Sequence, residues 1–596
     1  MKTIHAAGIV VALSVCACGA GATITVDANT AVVLGDQSII SGNLLGITAF
    51  EGFPSVIADR DYRSRLAALR PGCIRFGGGL KWFCPTDYDP SWYSTPSADS
   101  AFEQTLLFGA RYPFGRFLPV VRQMGAEPML SLGGPPEYLT QEGTSHPSDF
   151  DRWAEYCAEY VGLWKRFDPA LRLVQIWNEP NASWYNDPRV KGSGKSSAQL
   201  HIEMAQKVGN AIKQRAPDVL VGGPVLCWPP AWPPNQKNKQ PWYTWQSWTV
   251  PWLAQTAEQV DFFDFHVYDV SPDDLVVQTE MTHNQALLSQ GRHLPIWITE
   301  SSYNLSKEEQ GDPRAIWLKR LLPYERLLLR GVLPQADKIA GNLYHDLHAS
   351  HHTLLPGSAF EPDPMYWLLW ILRDLRGTRI VADSDDAEVL SYATVEQDRV
   401  SVVLFNDGDA AADVALSVSM PTGYATGPYV RAIGRGPSGA CERLTIGTEF
   451  TRQGGSMSGT VPLPAQGTVC LNFHMQSFAR PRRTRAVSEH FGDKTLQLLA
   501  VDAPVEASID VPAVGEATAC LRLGLLGLEG DERLKVTLNG AALAARATAV
   551  QDIPVDMATL RRANKLVVGL SEPAANRGLA LGFASIVLQT SGAATE

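Results

Sequence analysis

Up to residue 376 the chain alternates short apolar runs with longer amphipathic segments. The runs that read as strands are Leu44–Thr48, Cys73–Phe76, Pro128–Leu132, Leu173–Trp177, Val219–Gly223, Phe262–Val267, Pro295–Thr299 and Lys338–Leu343. Between them apolar residues recur at three-to-four spacing. The clearest case is 148–166, where Phe150, Trp153, Cys157, Tyr160, Val161 and Trp164 form one face of a helix. Segments 196–216, 273–290 and 313–331 carry the same period. Strand and helix alternating in this way predict a (β/α)8 barrel with elaborated loops. The competing open, doubly wound sheet needs a glycine-rich phosphate turn after its first strand. Gly77-Gly78-Gly79 instead follows the second strand and leads into an aromatic loop.

Past residue 376 the pattern changes to short alternating segments, such as Val400–Phe405 and Thr468–Phe473, divided by Asn, Asp, Gly and Pro turns. All 16 tryptophans lie between Trp82 and Trp370, which sharpens the boundary. The predicted fold class is α/β, a (β/α)8 TIM barrel followed by two β-sandwich domains. The barrel spans 44–376 and the first sandwich 377–478. Residues 23–43 are strands expected to join that sandwich. The arginine run in 479–486 reads as a solvated linker. Residues 487–596 form a C-terminal sandwich or jelly roll, with Leu534–Leu538, Lys565–Val568 and Gly582–Leu588 as strands. Its lack of tryptophan favours bracing of the barrel over stacking on sugars.

Composition adds limits. Hydrophobic residues at 45% and charged residues at 19% fit a folded chain, and the net charge of −11 disfavours nucleic acid as a partner. Lys2, the apolar stretch 6–17 and Ala20-Gly21-Ala22 read as a signal peptide over 1–22, so a secreted, periplasmic or cell-surface protein is expected. Cys18 offers a lipoprotein alternative. No segment is long enough to span a bilayer. The remaining cysteines read mostly as small buried hydrophobes, with Cys73–Cys84 and Cys441–Cys470 as candidate bridges. No cysteine pair has zinc-knuckle spacing, and neither metal nor cofactor is expected. The oligomeric state is not encoded in any pattern.

Two glutamates stand where chemistry is expected in a barrel, at the C-terminal ends of strands. Glu179 closes the fourth strand and Glu300 the seventh, each behind a tryptophan-bearing run. A lone glutamate there would read as a helix cap or surface ion pair. Two, facing each other across the mouth, are the pair that cleaves a glycosidic bond with retention.

Ile176-Trp177-Asn178-Glu179-Pro180-Asn181 resembles the acid/base motif of clan A glycoside hydrolases, and Ile298-Thr299-Glu300 resembles their nucleophile strand. Val221-Gly222-Gly223-Pro224 is similar to the β-xylosidase and α-L-iduronidase family, number thirty-nine. Ile74-Arg75-Phe76-Gly77-Gly78 and Glu300-Ser301-Ser302 look like the heparanase and β-glucuronidase family. A barrel followed by two β-domains looks like the β-agarase and β-porphyranase family. The resemblance implies a hydrolase acting on a β-linked oligo- or polysaccharide, with Glu300 as nucleophile and Glu179 as acid/base. It implies further that Arg75 holds the nucleophile and Asn178 bonds the sugar 2-hydroxyl. A transglycosylase with the same residues and a non-catalytic carbohydrate-binding barrel remain the alternatives.

Other candidates follow from placement. Asp264, His266 and Tyr268 alternate on the sixth strand and point one way, Tyr268 towards Glu300 and His266 towards the sugar or into the core. Glu51 and Glu137 follow the first and third strands, as substrate contacts or caps. Trp82 and Trp228 are candidate sugar platforms, within aromatic loops of which about half the rings are expected only to pin the chain, and Trp297 on the seventh strand is a candidate substrate-binding or supporting residue. His345 opens a histidine-bearing loop after the eighth strand, read as sugar contact or packing. Glu179 is expected to have a raised pKa, and Glu300 to be ringed by hydrogen-bond donors.

Overall fold

The computed structural model describes residues 21–34, 44–49, 59–76, 114–135, 139–184, 187–230, 243–346, 352–356, 360, 362–420, 425–436, 439–475, 481–500, 503–512, 517–528, 533–571 and 579–593. Glu51, Trp82, Cys84, Glu137, Cys18 and the signal segment as far as residue 20 lie outside these residues.

Strand β1 is Thr23–Leu34. Parallel strands β2 (Leu45–Ala49), β3 (Cys73–Phe76), β4 (Glu127–Ser131), β5 (Leu173–Gln175), β6 (Leu220–Leu226), β7 (Phe262–Tyr268), β8 (Ile296–Ser302) and β9 (Ile339–His345) close into a barrel, β9 pairing with β2. Helices cover it through the stripes legible in the sequence. Phe150–Phe167 begins at Asp149, whose carboxylate accepts from the backbone N–H of Asp151 and Arg152, and it buries Trp153, Cys157, Tyr160, Val161 and Trp164. The segment 313–331 departs from a plain helix. Pro313–Ile316 and Leu322–Arg326 are α-helical, and wider π turns follow each at Trp317–Leu321 and Leu327–Val332.

The barrel interior is layered. The lowest layer is apolar: Cys73, Met129, Leu173, Phe262 and Leu343, with the Trp297 ring packed on them. Two glycines make room for its large rings. A Cβ on Gly222 would lie 1.9 Å from the Phe262 ring, and one on Gly341 would lie 2.3 Å from Trp297. Trp297 therefore plugs the barrel floor, a supporting position below the mouth. Above it comes a polar layer of Thr48, Arg75, Gln175, Asp264 and Thr299, all fully buried. The site lies on top of that.

Strands β10 (Thr378–Ser384), β11 (Val389–Glu396), β12 (Arg399–Asn406), β13 (Ala412–Ser419), β14 (Ala425–Arg435) and β15 (Cys441–Leu444) belong to a sheet system that runs through both β-units and has 15 strands among the described residues. β1 is the stitch. Its first half pairs with β10 and β13, and its second half runs parallel to Arg483–Val487. The expected linker at 479–486 is corrected accordingly. From Arg483 the chain is a strand, Arg483–Phe491, held between β1 and Ala580–Ala593. Its arginines read as solvated because the partner strand lies more than 440 residues earlier in the chain. The proposed bridge Cys441–Cys470 is also corrected, since both thiols are free. Cys73 is free as well.

Lys338 docks the C-terminal unit on the barrel. It is buried between Glu280 at 3.0 Å and Glu489 at 2.8 Å.

Candidate active site

β5 stops at Gln175 and the chain turns sharply through Trp177 (φ 75°) and Glu179 (φ 49°). Left-handed backbone at non-glycine residues costs about 1 kcal/mol or more each and needs outside support. Glu179 has it. Its N–H donates to the Val225 carbonyl at 2.9 Å, its carbonyl accepts from Ala182, and Pro180 bars it from ordinary helical backbone. Trp177 is wedged against Trp184 and His146. The acid thus stands on a braced turn between β5 and β6.

Glu300 lies inside β8. Arg75 from β3 is fully buried and forks three ways. Its Nη1 donates to Glu300 Oε1 at 2.7 Å, its Nη2 to Asn178 Oδ1 at 2.5 Å and its Nε to Gln175 Oε1 at 2.5 Å. Tyr268 donates its hydroxyl to Glu300 Oε2 at 2.7 Å and meets His345 Nδ1 at 2.6 Å. His266 sits between the carboxylates, with Nδ1 2.9 Å from Glu179 Oε1 and 3.5 Å from Glu300 Oε2. Beneath, Gln175 donates to Asp264 and Thr299, and Thr299 donates to Asp264 Oδ1 at 2.7 Å.

The electrostatics separate the two acids. Burial pushes Glu300 up, but the positive charges of His266, Arg75 and His345 and the Tyr268 hydroxyl outweigh it, bringing it down to about 2. Its side chain is 6% exposed, against 29% for Glu179, so Glu179 is the one that reaches water. Burial also pushes Glu179 up, yet the hydrogen bond and charge of His266 bring it below the ordinary glutamate value. The raised pKa expected from the sequence is corrected by this contact. His266 is shifted up, because two carboxylates outweigh its burial. Asp264, wholly buried, is raised to about 7 by desolvation.

Arg75, Asn178, Glu179, His266, Tyr268, Glu300 and His345 therefore converge. Trp228 stands just past β6 and is 39% exposed, and Tyr243 is 41% exposed. Trp245, Trp248 and Trp252 of the same loop region are buried and pin the chain. The sequence reading missed Gln175 and Cys227. Gln175 had a signal, as a polar residue at an inward position of an apolar strand. Cys227 had none. Its N–H is fixed by Asn181 Oδ1 at 2.8 Å, and its thiol helps to hold the Glu179 carboxyl down. Among the described residues, only Glu179, His266 and Glu300 bring three possible metal-ligating atoms together, all within 4.8 Å. Those atoms are already committed to one another and to Arg75 and Tyr268.

A search of curated protein sequences finds no significant relative. Among solved structures, the chain is similar to a family 86 glycoside hydrolase in complex with neoagarooctaose, with 16% identity, TM-score 0.74 and coverage of 96% of this chain and 99% of that one. It is similar to a β-porphyranase of glycoside hydrolase family 86 from Bacteroides plebeius, with 14% identity, TM-score 0.66 and coverage of 96% and 100%. The family 39 enzyme from Xanthomonas axonopodis pv. citri shares 18% identity at TM-score 0.53, over 77% of this chain and 98% of that one. Residues 156–321, which contain Glu179, His266 and Glu300, match the glycosyl hydrolase catalytic core. The matched segment lies within the barrel and brings both carboxylates with it.

Proposed function

We propose that the protein is an exported retaining glycoside hydrolase that cleaves β-glycosidic bonds of a polysaccharide by double displacement. One observation carries the mechanism. An oxygen of Glu179 lies within 4.8 Å of an oxygen of Glu300. This suits the roughly 5–5.5 Å spacing of retaining pairs and leaves no room for the water that inverting pairs hold at about 6.5–9.5 Å. Glu300, ionised and aimed by Arg75 and Tyr268, attacks the anomeric carbon to form a glycosyl ester. Glu179 protonates the leaving oxygen, then takes a proton from the water that cleaves the ester. Because His266 Nδ1 shares a short contact with Glu179, the working acid is the pair. One proton moves along the 2.9 Å bond to Glu179 as the glycosidic oxygen arrives. Asn178 Oδ1 is held by Arg75, which leaves its amide N–H groups for a sugar hydroxyl.

Likeness to the family 86 enzyme bound to neoagarooctaose, over nearly the whole chain, supports an agar-type galactan as substrate and internal cleavage as the mode. Turnover of a panel of agarose, porphyran and xylan, with product anomer followed by NMR, tests both points. Release of the β-anomer first supports retention, and the α-anomer first overturns it. Glu300→Gln is expected to lower turnover by at least about a thousandfold, in line with loss of a nucleophile. Transfer of the glycosyl group to an added acceptor, with hydrolysis absent, would instead identify a transglycosylase.

A further inference from the structure

Helix Pro364–Leu372 runs back from the barrel mouth and packs its far end on β14 and β15. Asp374 follows it and pairs with Arg70, the residue that closes helix Arg60–Leu69 before β3, at 3.0 Å. This seam therefore lies at the end of the barrel opposite the carboxylates.

Trp367 and Trp370 meet edge-to-face there, 5.7 Å apart. Guanidinium groups crowd one indole. Arg431 lies 5.0 Å, Arg373 5.2 Å and Arg443 6.0 Å from the Trp370 centroid, and Arg443 also covers Trp367 at 4.6 Å. Arg70, Arg399 and Arg376 stand close behind. Among the described residues, the acids paired with this group are Asp374 and Glu396. Glu442, next to Arg443, points to the opposite face of β15, its carboxyl against Gly436. Like charge is felt within the cluster. Burial, then Arg70, lowers Arg376 to about 10, and burial, then Arg431, lowers Arg373. The Nε groups of Arg373, Arg399 and Arg431 have no hydrogen-bond partner among the described residues. The surplus cation is notable in a chain of net charge −11. Beside it Tyr429 offers a ring that is 57% exposed, with Arg431 at 5.9 Å from its centroid.

We propose that this seam is a second saccharide site, remote from the catalytic mouth, that takes a polysaccharide bearing sulfate or carboxylate groups. A sugar face lies on Tyr429, and the anionic substituent sits between Arg443 and Arg373. Guanidinium forks match both anions, and a flat phenol matches the C–H face of a pyranose. This rests on the reading of the protein as a polysaccharide hydrolase, whose own chain it would hold while the barrel cuts elsewhere.

The test uses full-length protein carrying Glu300→Gln, so that no polymer is consumed. Affinity electrophoresis is run through gels containing dextran sulfate, polygalacturonate or neutral dextran. Retardation by either charged polymer and not by dextran is expected, and which polymer retards it separates sulfate from carboxylate. Tyr429→Ala and Arg443→Ala, both at exposed positions, should each weaken retardation at least about fivefold, with the melting temperature held. Equal retardation of the variants, or equal retardation by dextran, overturns the site. So does a change confined to oligomeric state in sedimentation, which would mark a contact between copies. In the Glu300-intact enzyme the same variants should leave aryl-glycoside turnover unchanged. Failure of the hydrolase reading would show in that turnover and not in the gels.

Discussion

His266 Nδ1 contacts Glu179 Oε1 at 2.9 Å, and this contact reverses the sign of the pKa shift that burial alone would give the acid. Removing the imidazole leaves Glu179 with desolvation and the nearby Glu300 charge, which raise its pKa, against only the smaller lowering by Cys227. In His266→Asn the Glu179 carboxyl, followed by carbon-13 NMR, should therefore titrate about one pH unit or more higher, and the alkaline limb of the kcat/KM profile should shift because it then reports Glu179 alone and not the pair. The acidic limb, set by Glu300, should move up less, since Arg75 and Tyr268 remain. An alkaline limb that stays in place would mean that His266 only packs.

Arg75, on β3, ties Gln175, Asn178 and Glu300 together. Arg75→Lys keeps the charge and loses the fork. Turnover should fall by about a hundredfold or more as Glu300 and Asn178 lose alignment. Arg75→Met leaves a buried carboxylate without its partner, and should cost about 3–5 kcal/mol in chemical denaturation.

What could be read from the chain, and what could not, follows from range. The barrel strands are apolar runs complete in themselves, and Glu179 and Glu300 were found because each ends such a run. The alternation of Asp264, His266 and Tyr268 placed all three inside. Contacts closed by the fold were invisible. The distance from His266 to Glu179 spans two barrel strands, so the acid's environment was misjudged. Trp297 and Thr299 share an inward face, yet only the fold shows that the floor needs a large ring at 297, where Gly341 leaves a gap. The strand at Arg483 has no apolar run, because β1 supplies its register.

The Cys227 thiol helps to lower the Glu179 carboxyl and is itself pushed up, by burial first and then by the Glu179 charge. Thiols are weak donors and hydroxyls stronger ones. Cys227→Ser should lower the alkaline limb and Cys227→Ala should raise it, each by about half a pH unit. The order Ser, Cys, Ala in pH–rate profiles is the check. Identical profiles for all three would remove the thiol from the acid's environment. The backbone bond from residue 227 to Asn181 survives in each variant, which keeps the turn in place.

Glu325 supplies a stability test away from the chemistry. It lies on Leu322–Arg326, wholly buried, with neither carboxyl oxygen hydrogen-bonded among the described residues. Burial, and then the charge of Asp407, raises its pKa well above the ordinary glutamate value, so the folded protein keeps the proton that the unfolded chain releases. The sign follows from proton binding. The folded state binds more protons above the unfolded pKa, so this group's contribution is complete below that pKa and declines as the pH rises through the folded value. Glu325→Gln cannot ionise and has no such decline. Its melting temperature should match the parent near about pH 4 and exceed it by several degrees near about pH 7. Parallel melting curves at both pH values would mean that Glu325 finds a cationic partner, and that its burial carries no ionisation cost.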